Sequence, residues 1–597
     1  MSDYTPPVRD IMFSMFEVFS YEKHFETHLH SVGADKAFVA TMLEHFGRFC
    51  TDVLSPLNSV GDEQGCKLNS EGVSTPTGFK EAYSAYAEAG WPALAGDPAY
   101  GGQGLPESLS IVLTEMRGTA NWAWNMYPGL SLGAVNTIKS HGSEAQKSLF
   151  LTKLIEGTWT GTMCLTESHC GTDLGMLRTK AVPHQDGRYR VSGTKIFISS
   201  GDHDLTENIV HIVLARLPDS PPGVRGISLF IIPKVLVNED GTLGSRNGVS
   251  CGALEKKMGI HGNATCVMNF DEATAYLVGE PNRGLEAMFT FMNTARIGTA
   301  LQGIAHMELG YQKSLGYAKE RLQMRSVTGI KNPEGPADPI IVHPDIRRML
   351  LTQKALLEGG RMMIHHTGKL VDTAERAVDA SDRKAAEDKL SFITPIAKAF
   401  LTETGFECAN LALQCFGGHG YIKEWGVEQN VRDARIATIY EGTTGIQALD
   451  FTGRKVLGSG GELLRQFTRD IHIFCQTHAE NSAITKFVSP LAELNKKWGE
   501  LTMNIGTRSL ENPDEAGAAS VDYLMFSGYA CLAYFWAMAA AKAQEALSSE
   551  TTDTDFYDAK LSTATFYFER ILPRTLTHEA SILSGAANLM TIPPQQF

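Results

Sequence analysis

The chain has 597 residues, 43% of them apolar and 20% charged, with a formal net charge of −14. That length exceeds what one hydrophobic core supports, so at least two packed units are expected. The composition excludes long disorder, and the excess of carboxylates excludes a general affinity for nucleic acid or anionic membrane, which needs clustered Lys and Arg.

In chain order, residues 1–35 form an N-terminal extension and residues 36–159 a helical domain, in which runs such as KAFVATMLEHFGRF and FKEAYSAYAEAGW are broken by the Gly- and Pro-rich loop PAYGGQGLP at 98–106. Over 160–283 the apolar period changes to two. YRVSGTKIFIS follows an Asp186–Gly187 turn, ENIVHIVLARL and GISLFIIPKVLV alternate, and a second turn stands at Asp240–Gly241, which predicts an antiparallel β domain. The helical period returns over 284–457, with Leu301, Ile304, Tyr311, Leu315, Ala318 and Leu322 on one stripe, and predicts a helical bundle. A GSGG break at 458–461 precedes an additional helical domain, 462–597, whose ten Lys plus Arg against sixteen Asp plus Glu, counted from 461, make it acidic. The fold class is therefore α+β: helical, then β, then helical twice.

The ten cysteines are scattered with no C-x-x-C pair, and MSDYTPPVRDIMF has no signal-peptide apolar region, so a cytoplasmic location is expected. Tyr523–Ala541 is uncharged and near spanning length. Its three Tyr, one Ser and one Gly, and the lack of a flanking basic cluster, point to a buried helix and no integral membrane span.

The densest chemical signal is LQCFGGHGYIKEWGVEQNVRDARIATIYEGTTGIQ, 413–447, where a Gly-rich turn leads to Tyr440–Glu441–Gly442–Thr443. This segment resembles the C-terminal signature of the acyl-CoA dehydrogenase family, in which the Glu of Y-E-G-T is the base. The resemblance carries that role to Glu441 and places Tyr440 and Gly442 beside the substrate and Thr443 beside the cofactor. Taking an α-proton from a thioester demands such a carboxylate, held in a water-poor site. Members that keep the base elsewhere carry it just before the Arg of the helix beginning MNTARIG; here that position is Ala295, and Arg296 is the implied substrate-side support.

MCLTESHCGTDLGMLRTKA, 163–181, is similar to the family's T-E-P-x-x-G-S-D loop, with Ser168 for Pro and Thr172 for Ser. It implies flavin contacts for Met163, Leu165 and Thr166, and flavin or substrate contact for Thr172. His169 and Cys170 lie in the same loop, and one His with one Cys makes no metal site. GTKIFISSG, 193–201, resembles the strand that places an aromatic ring, here Phe197, on the isoalloxazine and a hydroxyl, here Ser199, at its N5. YAKERLQMR, 317–325, is similar to the helix whose Arg reaches a neighbouring subunit's FAD. It implies Arg321 and Gln323 on that cofactor, with Gln414, Gly417 and Gly418 receiving the diphosphate.

The resemblance covers about residues 35–455, and the tail is shared by extended members, including very-long-chain and bacterial enzymes, with this chain leaning to the bacterial group. It implies FAD as cofactor and a homodimer or homotetramer. It further implies α,β-dehydrogenation of a fatty acyl-CoA or of 3-methylmercaptopropionyl-CoA, with electrons passed to an electron-transfer flavoprotein. The alternatives are an acyl-CoA oxidase and a flavin-binding DNA-associated protein on the same scaffold, the second disfavoured by the acidic tail.

Overall fold

The computed structural model describes residues 4–29 and 33–597, so residues 1–3 and 30–32 of the expected extension lie outside the described residues. The chain forms two compact units, Phe46–Gly298 and Met1–His45 together with Thr299–Phe597.

The Phe46–Gly298 unit begins with helix Pro56–Gln64 and a short antiparallel pair, Lys67–Asn69 with Gly72–Ser74, and continues with helices Phe79–Glu88, Glu107–Ala120, Trp122–His141 and Glu144–Ile155. Their starts follow from capping chemistry: the Asn121 side chain accepts from Trp124 N at 3.0 Å, and Ser143 and Gln146 close a reciprocal capping box. A seven-stranded sheet follows, running Val249–Leu254, Thr265–Val278, Tyr189–Ser199, Lys180–Pro183, Asn208–Arg216, Trp159–Cys164. Strand Ile227–Pro233 pairs with both Thr265–Val278 and Asn208–Arg216, which closes the middle strands into a ring. The sheet is antiparallel as the alternation predicts, except that Trp159–Cys164 and Asn208–Arg216 run parallel and Lys180 pairs Arg216 in the same sense. Asn208–Arg216 and Ile227–Pro233 are almost wholly buried, as expected of strands covered on both faces.

The second unit is helical. Its centre is the antiparallel pair Pro344–Arg376 and Ala380–Phe416, crossed by the C-terminal part of helix Gly284–Glu320. Residues of the N-terminal extension belong to this unit: Asp10 ion-pairs with Arg361 and Lys560, and Tyr21 Oη donates to the His365 carbonyl at 2.6 Å. Burial pushes the Asp10 carboxyl up, yet the two cations hold it well below its ordinary range.

The crossing of Gly284–Glu320 on Ala380–Phe416 is set by two glycines. A Cβ on Gly303 would lie 2.1 Å from the Leu401 carbonyl oxygen, and one on Gly405 would lie 2.8 Å from the Gly303 backbone. Gln302 stands beside the first glycine, and Lys398 one turn before Leu401.

The uncharged run falls in helix Asp514–Leu547, which is long and apolar enough to cross a membrane, yet 78% of its most apolar window is buried. Its burial is specific: Trp536 Nε1 donates to the Ala355 carbonyl at 3.0 Å, and a Cβ on Gly528 would meet the Phe400 ring at 2.2 Å. Ending the chain at Ser459 removes this helix and strips the faces around Ala355 and Phe400. The truncated protein is expected to aggregate or change oligomeric state, as exposed apolar patches above a few hundred Å2 do; size-exclusion chromatography checks this. A soluble, active truncation, with full-length protein pelleting with vesicles, would instead mark the helix as membrane-associating.

Candidate active site

In the helical unit, Ile436–Thr438 ends a short helix, and the chain then passes through Tyr440–Gly442 into helix Thr444–Leu449, which Thr443 caps by accepting from Ile446 N at 3.2 Å. Glu441 is half-buried and stands at φ +56°, a left-handed conformation that costs a β-carbon-bearing residue on the order of 1–3 kcal/mol and persists only where its surroundings impose it. Three bonds impose it here. Gln447 Nε2 donates to the Glu441 carbonyl at 2.9 Å, the buried Lys398 ammonium donates to the Gly442 carbonyl at 2.6 Å, and Tyr440 Oη donates to Gln302 Oε1 at 2.5 Å.

Behind Tyr440 lies a polar chain that the sequence reading passed over. Gln302 Nε2 donates to the Asp433 carbonyl at 3.2 Å and approaches His306 Nε2 at 3.4 Å, while His306 Nδ1 meets Asn430 Oδ1 at 2.8 Å. Burial pushes the His306 imidazole down to about 4, the Asn430 bond opposing, so the ring is neutral at pH 7. An amide nitrogen only donates, so Nε2 accepts and Nδ1–H points to Asn430. His306 and Asn430 occupy what reads in sequence as ordinary helical core, and no motif marks them.

Arg321 and Gln323 are exposed and lie just beyond the helix, which ends at Glu320; they do not sit on it as the family pattern implied. The segment is held by the Ile340 N to Arg321 carbonyl bond at 2.8 Å and the Gln323 N to Asp338 carbonyl bond at 3.0 Å. Tyr317, at the end of that helix, stacks on Phe416 at 4.1 Å and donates or accepts at His419 Nδ1 at 2.9 Å, which brings exposed Gln414, Gly417 and Gly418 to the same end of the unit. Cβ atoms on Gly417 and Gly418 would meet nothing within 4 Å, so these glycines leave a surface open to a ligand where Gly303 and Gly405 serve packing.

In the β unit, Phe197 is 59% exposed at φ +59°. The pairing of Tyr189–Ser199 with Thr265–Val278 slips between Cys266–Ile198 and Met268–Lys195, and this bulge turns the Phe197 ring out of the strand. Ser199 is half-buried beside it, opposite Thr265. The loop after Trp159–Cys164 is fastened to this strand: Ile196 N donates to the Thr166 carbonyl at 2.9 Å, and the fully buried Lys195 ammonium donates to the Leu165 carbonyl and to Glu167 Oε1, both at 2.9 Å. Thr166, Leu165 and Met163 are half-buried, and Thr172 is exposed at the loop's far end. Arg296 is buried at 6% exposure, and Ala295 packs against the apolar core, so the family's alternative base position carries no carboxylate.

Glu167 was passed over as a loop residue. Its carboxylate accepts from Thr179 N at 3.0 Å, the Thr179 hydroxyl at 2.6 Å and Arg178 N at 2.8 Å, as well as from Lys195. Burial pushes it up, but Lys195 and these donors hold it down to about 2. Glu167, His169 and Cys170 bring ligand-type atoms within 4.8 Å of one another, but the Glu167 oxygens are spent on the lysine and the loop.

Four family models match this chain in order: acyl-CoA dehydrogenase N-terminal domain over 33–158, middle domain over 162–273, C-terminal domain over 282–455, and acetyl-CoA dehydrogenase C-terminal like over 467–593. The chain belongs to the acyl-CoA dehydrogenase family. It is 42% identical to a 3-methylmercaptopropionyl-CoA dehydrogenase of Ruegeria pomeroyi over 98% of this chain and 99% of that one. In fold it is similar to Caenorhabditis elegans ACDH-11 in complex with C11-CoA, at TM-score 0.77 and 19% identity over 95% and 91% of the two chains. It is also similar to an acyl-CoA dehydrogenase complexed with FAD from Bacillus anthracis, at TM-score 0.74 and 20% identity over 92% and 89%.

Two substitutions test this geometry. Glu167→Gln leaves Lys195 buried without its counter-charge and is expected to cost about 3 kcal/mol of stability. The wild-type contribution is present above the unfolded value of 4.5 and lost as pH falls through about 2; denaturant midpoints from pH 5 to 2 should fall in the wild type and stay flatter in the variant. Gly303→Ala drives a methyl into the Leu401 carbonyl. It is expected to cost about 1–3 kcal/mol and, through displaced Gln302 and Lys398, to lower turnover more than substrate affinity.

Proposed function

We propose that this chain oxidises an acyl-CoA thioester to the trans-2-enoyl-CoA with FAD as cofactor, Glu441 taking the α-proton. The observation that carries the reading is the left-handed backbone at Glu441, fixed by Gln447, Lys398 and Gln302 in the Tyr440–Glu441–Gly442–Thr443 turn. A carboxylate whose backbone is held by three bonds is positioned before substrate arrives, so proton transfer needs little reorganisation.

The residues present fit FAD. An exposed aromatic ring turned out at a bulge offers a stacking face, Ser199 a hydroxyl beside it, and the Gly417–Gly418 surface with exposed Arg321 a place and a countercharge for a diphosphate. When bound, FAD would accept the β-hydrogen with its electron pair. Met163, Leu165, Thr166, Thr172, Phe197, Ser199, Arg321, Gln323, Gln414, Gly417, Gly418 and Thr443 are the residues assigned to it. In this reading the Glu441 backbone N–H donates to the thioester carbonyl, stabilising the enolate-like charge as the proton leaves. Tyr440 and Gly442 border the α-carbon, and Thr172 and Arg296 support the substrate.

Arg321 and Gln323 are assigned to the FAD of a neighbouring copy in a homodimer or a pair of dimers. Exposed Met324 at 76% and Val327 at 90%, with Ile330, Tyr421 and Ile422, give that end the apolar character of an interface. An electron-transfer flavoprotein is the electron acceptor of this reading. The identity to the Ruegeria relative favours 3-methylmercaptopropionyl-CoA over straight-chain thioesters, and a turnover panel of both kinds decides between them.

Glu441→Gln is expected to retain bound yellow FAD yet lose turnover by roughly 10²–10⁴-fold; substrate reduction of the flavin at near wild-type rate would remove Glu441 from the role. Arg321→Ala is expected to release FAD on gel filtration and on dilution, the loss of a buried Arg–phosphate contact costing on the order of 2–5 kcal/mol. A monomer that retains all its FAD would refute the shared site.

A further inference from the structure

The tail beyond the GSGG break has no part in the reading above, yet one of its side chains reaches the helix that holds the Glu441 turn. Helix Ala380–Phe416 grips that turn at two points: the Lys398 ammonium donates to the Gly442 carbonyl, and the Glu403 carboxylate accepts from the Thr444 hydroxyl at 2.5 Å. Thr444 is the first residue of helix Thr444–Leu449, which Thr443 caps. Glu403 therefore fixes the point at which the chain leaves the turn.

Glu407 lies one helical turn beyond Glu403, and residues four apart share a helix face. Both are half-buried. Two carboxylates so placed repel, and partial burial strengthens the repulsion because water and salt screen it less. Arg574, the first residue of the tail helix Arg574–Ser584, answers Glu407 with both arms of its guanidinium: Nη1 donates to Oε2 at 2.8 Å and Nη2 to Oε1 at 2.7 Å. A planar fork on a carboxylate is the strong form of an ion pair. The fork is itself held, since Nη1 also donates to Tyr529 Oη at 3.2 Å. The Tyr529 ring stacks on His578 at 5.7 Å and stands edge-on to Phe400 at 4.8 Å, and Phe400 lies between Lys398 and Glu403 on the gripping helix.

The tail also backs the turn by packing. Helix Thr444–Leu449 lies against helix Asp514–Leu547 as well as against Ala380–Phe416, and Phe451, just beyond it, stacks on Tyr523 at 5.4 Å. Packing places the turn without singling out a residue, whereas the charge relation does. We propose that Arg574 is a positioning residue for the Tyr440–Gly442 turn: it neutralises Glu407, so that Glu403, relieved of that repulsion, holds Thr444 and with it the left-handed backbone at Glu441. The effect on turnover rests on the reading of Glu441 as the base; the coupling of Arg574 to Thr444 does not.

The test is steady-state kinetics of the full-length, FAD-loaded protein with the fastest substrate of the thioester panel, together with denaturant midpoints. The Arg574 and Glu407 side chains are 33% and 34% exposed, so Arg574→Met is expected to lower kcat by only about fivefold, with KM changed less than about twofold and FAD retained. Arg574→Lys, which keeps the charge, and Arg574→Met with Glu407→Gln, which removes the carboxylate it answered, are each expected to recover kcat to within about twofold of wild type. A tail that is merely loosened would not be mended by removing a second contact. Thr444→Val tests the route: combined with Arg574→Met it is expected to cost no more turnover than alone, and the midpoints of the two variants and their pair are expected to be non-additive, as coupled sites are. Wild-type kcat in Arg574→Met while Glu441→Gln abolishes turnover, no recovery on adding Glu407→Gln, or additive midpoints would each overturn the proposal. Should Glu441→Gln keep substrate reduction of the flavin, the base assignment fails instead, and the midpoints alone decide on Arg574.

Discussion

Two helices touch backbone to backbone at Gly303 and Gly405, and the geometry of the candidate base follows from that contact. Because no side chain separates them there, Gln302 on one helix and Lys398 on the other are brought within reach of the same turn, one holding Tyr440 and the other the Gly442 carbonyl. The turn itself has no regular partner strand or helix. Without these two donors and acceptors, a Glu at φ +56° would relax to an ordinary conformation. A small residue at a helix crossing thus acts on chemistry several residues away from any reacting atom.

A second device recurs in both units. A fully buried lysine reaches a loop carbonyl beside a residue in left-handed backbone: Lys398 to Gly442 beside Glu441, and Lys195 to Leu165 in the loop fastened beside Phe197. A long aliphatic stem carries the ammonium through the interior to a loop carbonyl. For Lys195 the burial is balanced by Glu167 at 2.9 Å, so loop, strand and charge pair form one fastening. Removing either partner leaves an uncompensated charge, which is why such pairs tolerate little substitution.

Much of this was legible in sequence. The change of apolar period located the strands from Tyr189 to Val278 and the return to helix at Gly284, because burial on one face writes a period that differs between strand and helix. The uncharged Tyr523–Ala541 run lies in a buried helix, and its polar hydroxyls were the clue. Motif resemblance singled out Glu441 and Phe197, yet neither the bulge nor the left-handed φ at either residue can be read from residue types, since both residues occur freely in ordinary strands and turns. Gln302, His306 and Asn430 were invisible for another reason: a polar residue on a buried helical face looks like a pattern error until its partner, more than a hundred positions away, is in place. The end of the helix at Glu320, short of Arg321, is likewise set by the Leu322–Pro339 bridge and not by a local stop signal.

The ion pair between Asp10 and Lys560 joins residues 550 positions apart. On a ribosome adding roughly 5–20 residues per second, the first helix emerges about half a minute to two minutes before its partner exists. The unit from Phe46 to Gly298 is contiguous and is complete while synthesis continues, whereas the helical unit must wait with an apolar N-terminal segment, Ile11 to Phe19, exposed in the nascent chain. Assembly of that unit therefore has to join segments that lie on either side of a whole intervening unit, and the Ile11 to Phe19 segment waits for partners made some 550 positions later.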